Sequence, residues 1–112
     1  MEVKAVAKDI GIPPRKVRPV IDLVRGKSID EALNLLKFTP TPTAKAVAKV
    51  VKSAAANAEN NFQLTPSELK IVKIFADEGR SLKRYRAGTR GRVTPVLRRS
   101  SHITVIVAEE AE

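Results

Sequence analysis

An α+β fold, three helices packed on a three-stranded antiparallel sheet with one long protruding β-hairpin, is predicted for this 112-residue chain by three observations. Helix-period apolar patterns with their own start and stop residues fill most of the first half. Three β-type segments stand at 3–8, 69–76 and 102–107. Between the last two lies a stretch unfit for a core: residues 80–99, RSLKRYRAGTRGRVTPVLRR, hold eight Lys or Arg and no Asp or Glu.

Each element has a local reason. In 3–8, Val3, Ala5 and Ala7 alternate with Lys4, Val6 and Lys8, the pattern of a half-buried strand. IPPRKVRPVIDLVRG then places Val17, Val20, Ile21 and Val24 at helical spacing, with Pro14 suited to the first turn and Gly26 to the stop. Pro19 lacks an N–H and crowds the preceding turn, so either the first turn is distorted or the regular helix begins nearer Pro19. In SIDEALNLLKF, Ser28 and Glu31 have capping-box spacing, and Ile29, Ala32, Leu33 and Leu36 form one face. The prolines of TPTP at 39–42 end that helix. Thr41 caps a third, running from Pro42 to about Asn60, with Val47, Val51, Ala54, Ala55 and Ala58 as its apolar stripe. NNFQLTPS is a loop. The strands LKIVKIFA and HITVIV flank the basic stretch, the layout of an antiparallel hairpin whose far end has outrun the core, with Gly88 and Gly91 bracketing the tip.

The length fits a single domain, 1–112, with an extended basic hairpin at about 79–101. Net charge +9 with a pI near 10.3 points to a polyanionic partner, and nucleic acid is favoured over a membrane surface because no amphipathic basic helix accompanies the run. MEVKAVAKDI lacks a signal-peptide layout, and no apolar run approaches a membrane span, so a soluble intracellular protein is expected. Cysteine is absent and histidine single, which excludes disulfides and a zinc cluster; no metal or cofactor is expected.

A ribbon reaching from Gly79 to about Thr89 would project roughly 33 Å. Ordering its twenty residues costs roughly 20 to 40 kcal/mol of backbone entropy, and Leu82, Tyr85, Val93, Val96 and Leu97 bury too little to offset it. A partner must order it; a disordered solubilising loop is the plain alternative. Seven of the eight cations are arginines, whose planar forks bind phosphate bidentately and stack on bases, as Tyr85 also could. Catalysis finds no foothold. Ser100, Ser101 and His102 are adjacent, but strand neighbours point to opposite faces and no acid completes a triad.

IPPRKVRPVIDLVRGKSIDEAL, KSAAANAENN, IFADEG and LRRSSHITVIV together, in order and spacing, resemble the bacterial large-subunit ribosomal protein 22 family across nearly the whole chain. The resemblance implies a non-enzymatic constituent of the large ribosomal subunit: a body near the peptide exit site, a hairpin passing through ribosomal RNA to line the nascent-peptide tunnel, and a role in subunit assembly. It implies RNA contacts from Arg15, Lys16, Arg18, Arg25 and Lys27, and from Arg80, Lys83, Arg84, Arg86, Arg90, Arg92, Arg98, Arg99, Ser100 and His102. The tunnel-facing tip falls on Tyr85, Ala87, Gly88, Thr89, Arg90, Gly91 and Arg92. Implied partners are large-subunit ribosomal RNA, neighbouring proteins including ribosomal protein 4, and the nascent polypeptide, with no membrane and no homo-oligomer. The implied location is the cytoplasmic large subunit, or that of an organellar ribosome. The chain departs from the family pattern at Pro13, where a capping serine is frequent, at Pro19, at Ala87 and Gly88, and at Thr94 and Pro95. An architectural DNA-binding protein with a basic β-arm is the alternative, although it would want a dimer interface and a proline wedge at the arm tip.

Overall fold

The computed structural model describes residues 2–65, 68–88, 91 and 93–109, with 82, 84, 86, 87 and 93–97 described by their backbone. Strands β1 (Glu2–Ile10), β2 (Leu69–Glu78) and β5 (Ser101–Glu109) form an antiparallel sheet in the order β1-β5-β2. Registration places three apolar rows across it: Val3, Val107 and Ile71; Ala5, Val105 and Ile74; Ala7, Ile103 and Ala76. Apart from half-buried Ala7, every member of these rows is buried, because one side of the pleat lies under the helices. On the opposite side Lys4, Val6, Lys73 and Phe75 are exposed, so the sheet has one covered and one open face.

Helices α1 (Pro14–Val24), α2 (Ile29–Lys37) and α3 (Pro42–Phe62) make the second layer, with α3 over β1 and β5, α1 over β2, and α2 against both other helices. The sequence left the start of α1 open between Pro14 and Pro19; the helix starts at Pro14 and carries Pro19 inside it. Magnitudes explain why. An interior proline costs about 3 kcal/mol, whereas burying Val17, Val20, Ile21 and Val24 is worth up to roughly 1.5 to 3 kcal/mol each. The first turn is tightened, with Lys16 N–H donating to the Pro13 carbonyl at 3.0 Å, and Pro13 at the N-cap has no side chain to cap with. Gly26 ends α1 in the left-handed region, φ +78°, as its sequence position predicts.

The other helices follow their local signals. Ser28 Oγ accepts from Glu31 N–H at 3.3 Å, Asp30 and Glu31 lie in the first turn of α2 and Lys37 in its last, each complementing the helix dipole. Thr41 Oγ1 accepts from Ala44 N–H at 3.3 Å, and α3 continues to Phe62, where Gln63 turns left-handed at φ 55°. The predicted stripe of α3 is buried throughout, while Lys45, Lys49 and Lys52 are exposed. Alanines at 44, 54, 55 and 58 are buried, so small side chains make up much of its packed face.

Beyond the sheet, β3 (Leu82–Ala87) pairs antiparallel with β4 (Val93–Arg98) as a separate two-stranded ribbon, from Leu82 with Arg98 to Ala87 with Val93. This is the predicted hairpin, and among element pairs in substantial contact β3 and β4 touch only each other. The molecule accordingly measures 65 × 26 × 17 Å, and its radius of gyration of 16.9 Å exceeds the roughly 13 Å of a compact chain this long. At the neck Gly79 N–H donates to the Ser100 carbonyl at 2.9 Å and Ser100 Oγ donates to the Arg80 carbonyl at 2.6 Å. A Cβ on Gly79 would stand 2.7 Å from Ser100 Oγ and 3.0 Å from His102 Cε1.

Gly79→Ala is therefore expected to displace the Ser100 hydroxyl from its bond and cost on the order of 1 to 2 kcal/mol. In a Ser100→Ala background the same change should cost distinctly less. Urea unfolding of the four proteins checks this, and equal costs in both backgrounds would contradict the steric account.

Candidate nucleic-acid interface

The cations that the sequence singles out stand at two places, the arm and the first helix, and the fold engages them differently. Arg80, Lys83, Arg98 and Arg99 are exposed along the arm and its root, as is Tyr85, which is 69% exposed. Arg84 and Arg86 lie in β3, opposite Val96 and Thr94, with Tyr85 opposite Pro95. Ala87 closes the ladder against Val93 and Gly88 follows it. Gly91 takes φ +73°, the backbone that its placement at a reversal calls for. Thr89, Arg90 and Arg92 lie outside the described residues. A ribbon offering cations and an exposed aromatic ring can bind phosphates and stack on unpaired bases.

The helix cations divide. Arg15 and Lys16 are exposed in the first turn of α1. Arg18 and Arg25, seven residues apart and so on one side of the helix, reach the outer edge of β2: Arg18 Nη2 donates to the Ala76 carbonyl at 3.3 Å and Arg25 Nη2 to the Ile74 carbonyl at 3.0 Å. Arg25 also pairs with Asp22 at 2.7 Å. The Lys27 carbonyl accepts from Ile71 N–H at 2.9 Å, extending the same protection, while the Lys27 side chain is exposed. An edge strand with unpaired carbonyls invites association, and these bonds close it. The helix arginines thus carry a structural duty that their charge alone does not reveal. Arg18 keeps donors in reserve; Arg25 is more fully engaged.

Ser100, Ser101 and His102, consecutive in sequence, are spent on three different backbone partners. Ser100 binds the Arg80 carbonyl as described; Ser101, fully buried, donates Oγ–H to the Ile12 carbonyl at 2.8 Å. His102 Nδ1 accepts from Asp9 N–H at 3.0 Å, which requires its proton on Nε2. Asp9 sits at an irregularity of β1 between Ala7 and Ile10, with φ 54°, and the histidine satisfies the amide that this bulge turns out of the ladder. No nucleophile–base bond joins the three side chains. Ser100 and His102, both among the expected RNA contacts, are half-buried, and their hydrogen bonds within the chain join the neck and the sheet.

Two acidic residues escaped the sequence reading. Glu78, the last residue of β2, pairs with Arg99 at 3.3 Å across the arm's root, and Asp9 shapes the bulge. The register that brings Glu78 opposite Ser101 is the signal that locates it, and the register is visible only once β2 and β5 are paired. Arg15, Arg18, Glu78 and Arg99 line one cleft between α1 and the arm; Arg25 and Lys27 lie at the far end of α1.

The family model described as ribosomal protein L22p/L17e matches residues 5–108. A large ribosomal subunit protein uL22 of Dehalococcoides mccartyi is 63% identical over 109 residues, covering 97% of this chain and 100% of the relative. The protein of the same name from Desulforamulus reducens is 53% identical over 112 residues, 100% of this chain and 99% of its own. That from Pediococcus pentosaceus is 51% identical over 109 residues, 97% and 92% of the respective chains. A match through both strands of the arm, the neck and all three helices leaves no element of the body outside it, and the chain belongs to the ribosomal protein L22p/L17e family.

Proposed function

We propose that this chain is a structural constituent of the large ribosomal subunit that binds large-subunit ribosomal RNA and supports assembly of the subunit. The single observation that carries the reading is the arm: a basic ribbon whose two strands make substantial contact only with each other, on a molecule 65 Å long. A two-stranded ribbon with eight cations and no anion among residues 80–99 repels itself until phosphates neutralise it. Ordering it in RNA releases counterions and supplies the packing that the chain lacks.

In this reading the chain acts as one domain, 1–112. Its body stands near the peptide exit site and its arm, about 79–101, passes inward between RNA segments. Arg80, Lys83, Arg84, Arg86, Arg90, Arg92, Arg98 and Arg99 hold phosphates, with Arg15, Lys16, Arg18 and Lys27 contributing from the body. The tip, Tyr85 to Arg92, lines the nascent-peptide tunnel beside ribosomal protein 4 and meets the passing polypeptide without catalysing anything. The location in this reading is the bacterial cytoplasm, within the large ribosomal subunit, a reading supported by bacterial relatives that carry the name of a large ribosomal subunit protein.

Crosslinking to RNA in intact cells, with both the peptide and the RNA identified, tests the reading. Residues 83–99 attached to several segments of large-subunit ribosomal RNA are the expected result. Attachment to DNA, or to scattered messages, would overturn it in favour of an architectural β-arm.

Replacing Arg84, Arg86, Arg90 and Arg92 together by Ala should leave the melting temperature of the free protein nearly unchanged and depress incorporation into subunits, measured by sedimentation. A large fall in melting temperature would show instead that the arm is packed on the body.

A further inference from the structure

Between the first turn of α1 and the root of the arm lies a cleft of about 330 Å³ lined by Pro13, Pro14, Arg15, Arg18, Glu78 and Arg99. That volume is at the lower end of the range that takes small ligands. Its walls come from two separate parts of the fold: Arg15 and Arg18 from the helical layer, Glu78 and Arg99 from the two legs of the hairpin where they leave the sheet. Three guanidinium groups and one carboxylate leave the cleft net positive.

The donors are available. Arg15 makes no hydrogen bond or ion pair among the described residues. Arg18 spends only part of its donor set on the Ala76 carbonyl. Arg99 is held by Glu78 at 3.3 Å, but the two side chains are 52% and 69% exposed, and an ion pair in such surroundings is weak and readily exchanged. Guanidinium forks bind phosphate bidentately, and the two non-bridging oxygens of a phosphodiester offer one acceptor to each side of the cleft.

We propose that this cleft is a phosphate-binding site that seats one phosphodiester of an RNA strand at the arm's root, a deepening that rests on the RNA-binding reading above. Arg15 and Arg99 are its direct ligands and Arg18 its floor. Glu78 is an intramolecular competitor: it keeps Arg99 over the cleft in the free protein and yields it to the phosphate on binding. Because Arg15 belongs to the body and Arg99 to the returning leg, a phosphate held between them ties the two together and fixes the angle at which the arm departs.

The test is equilibrium binding of the full chain to deproteinised large-subunit ribosomal RNA across a salt series. The variants are Arg15→Gln, Arg99→Gln and Glu78→Gln, with Lys37→Gln and Glu59→Gln as charge-matched changes on exposed helical positions away from the cleft. Losing one phosphate contact should reduce the salt slope by about 0.7 to 0.9 and the affinity about fivefold at roughly 0.15 M salt. Arg15→Gln and Arg99→Gln are expected to show this and Lys37→Gln is not. Glu78→Gln is expected to tighten binding more than Glu59→Gln, an effect that a merely structural Glu78–Arg99 bridge would not produce. Arginine variants indistinguishable from Lys37→Gln, or Glu78→Gln no tighter than Glu59→Gln, would overturn the cleft while RNA binding by the unaltered chain left the general reading intact. Preference of the unaltered chain for duplex DNA would overturn that reading and the cleft with it. Inorganic phosphate that binds the unaltered chain but not Arg15→Gln, while the arginine variants bind RNA like Lys37→Gln, would overturn the strand-bound assignment and give the cleft to free phosphate.

Discussion

Strand β5 is hydrogen-bonded on both sides, to β1 and to β2, and the rest of the molecule depends on that double pairing. Its buried residues Ile103, Val105 and Val107 supply the middle of all three apolar rows, so the helices have a surface to pack on only while β5 is in register. The same strand leads back from the arm. One segment thus serves as spine of the body and anchor of the extension.

That arrangement makes the neck the place where two opposed requirements meet. The body gains stability from apolar burial, whereas the arm concentrates like charge, which opposes its folding in the absence of counter-charge. Gly79, Ser100 and the Arg80 carbonyl form a tight passage between these regimes, closed by two hydrogen bonds. Ser101 and His102, immediately following, bind Ile12 and Asp9 and so fasten the passage to the loop after β1 and to its bulge. Whatever they meet outside the chain, these serines and the histidine act within it as fastenings.

What the sequence revealed and what it withheld divide along the range of the interactions. Ser28 with Glu31, Thr41 with Pro42 and Gly26 act within a turn or two, so their positions were legible directly. Strand alternation was legible because it repeats, and the arm because its charge excludes a core. The start of α1 was not, since it rests on a competition between a local cost at Pro19 and burial that only the assembled layers provide. The duties of Arg18 and Arg25 were hidden for the same reason: carbonyls at Ala76 and Ile74 become edge groups only when β2 takes the outer place in the sheet. Glu78 reaches Arg99 through a register that no local pattern encodes.

The central claim is that the body is held by its own core and the arm by its partner. Amide hydrogen exchange, compared between the free chain and the assembled large subunit, tests it most directly. The account predicts that amides of residues 103–107 are strongly protected in both states, while those of 82–87 and 93–98 exchange fast in the free chain and slowly in the subunit. Protection of the arm in the free chain equal to that of β5 would contradict it.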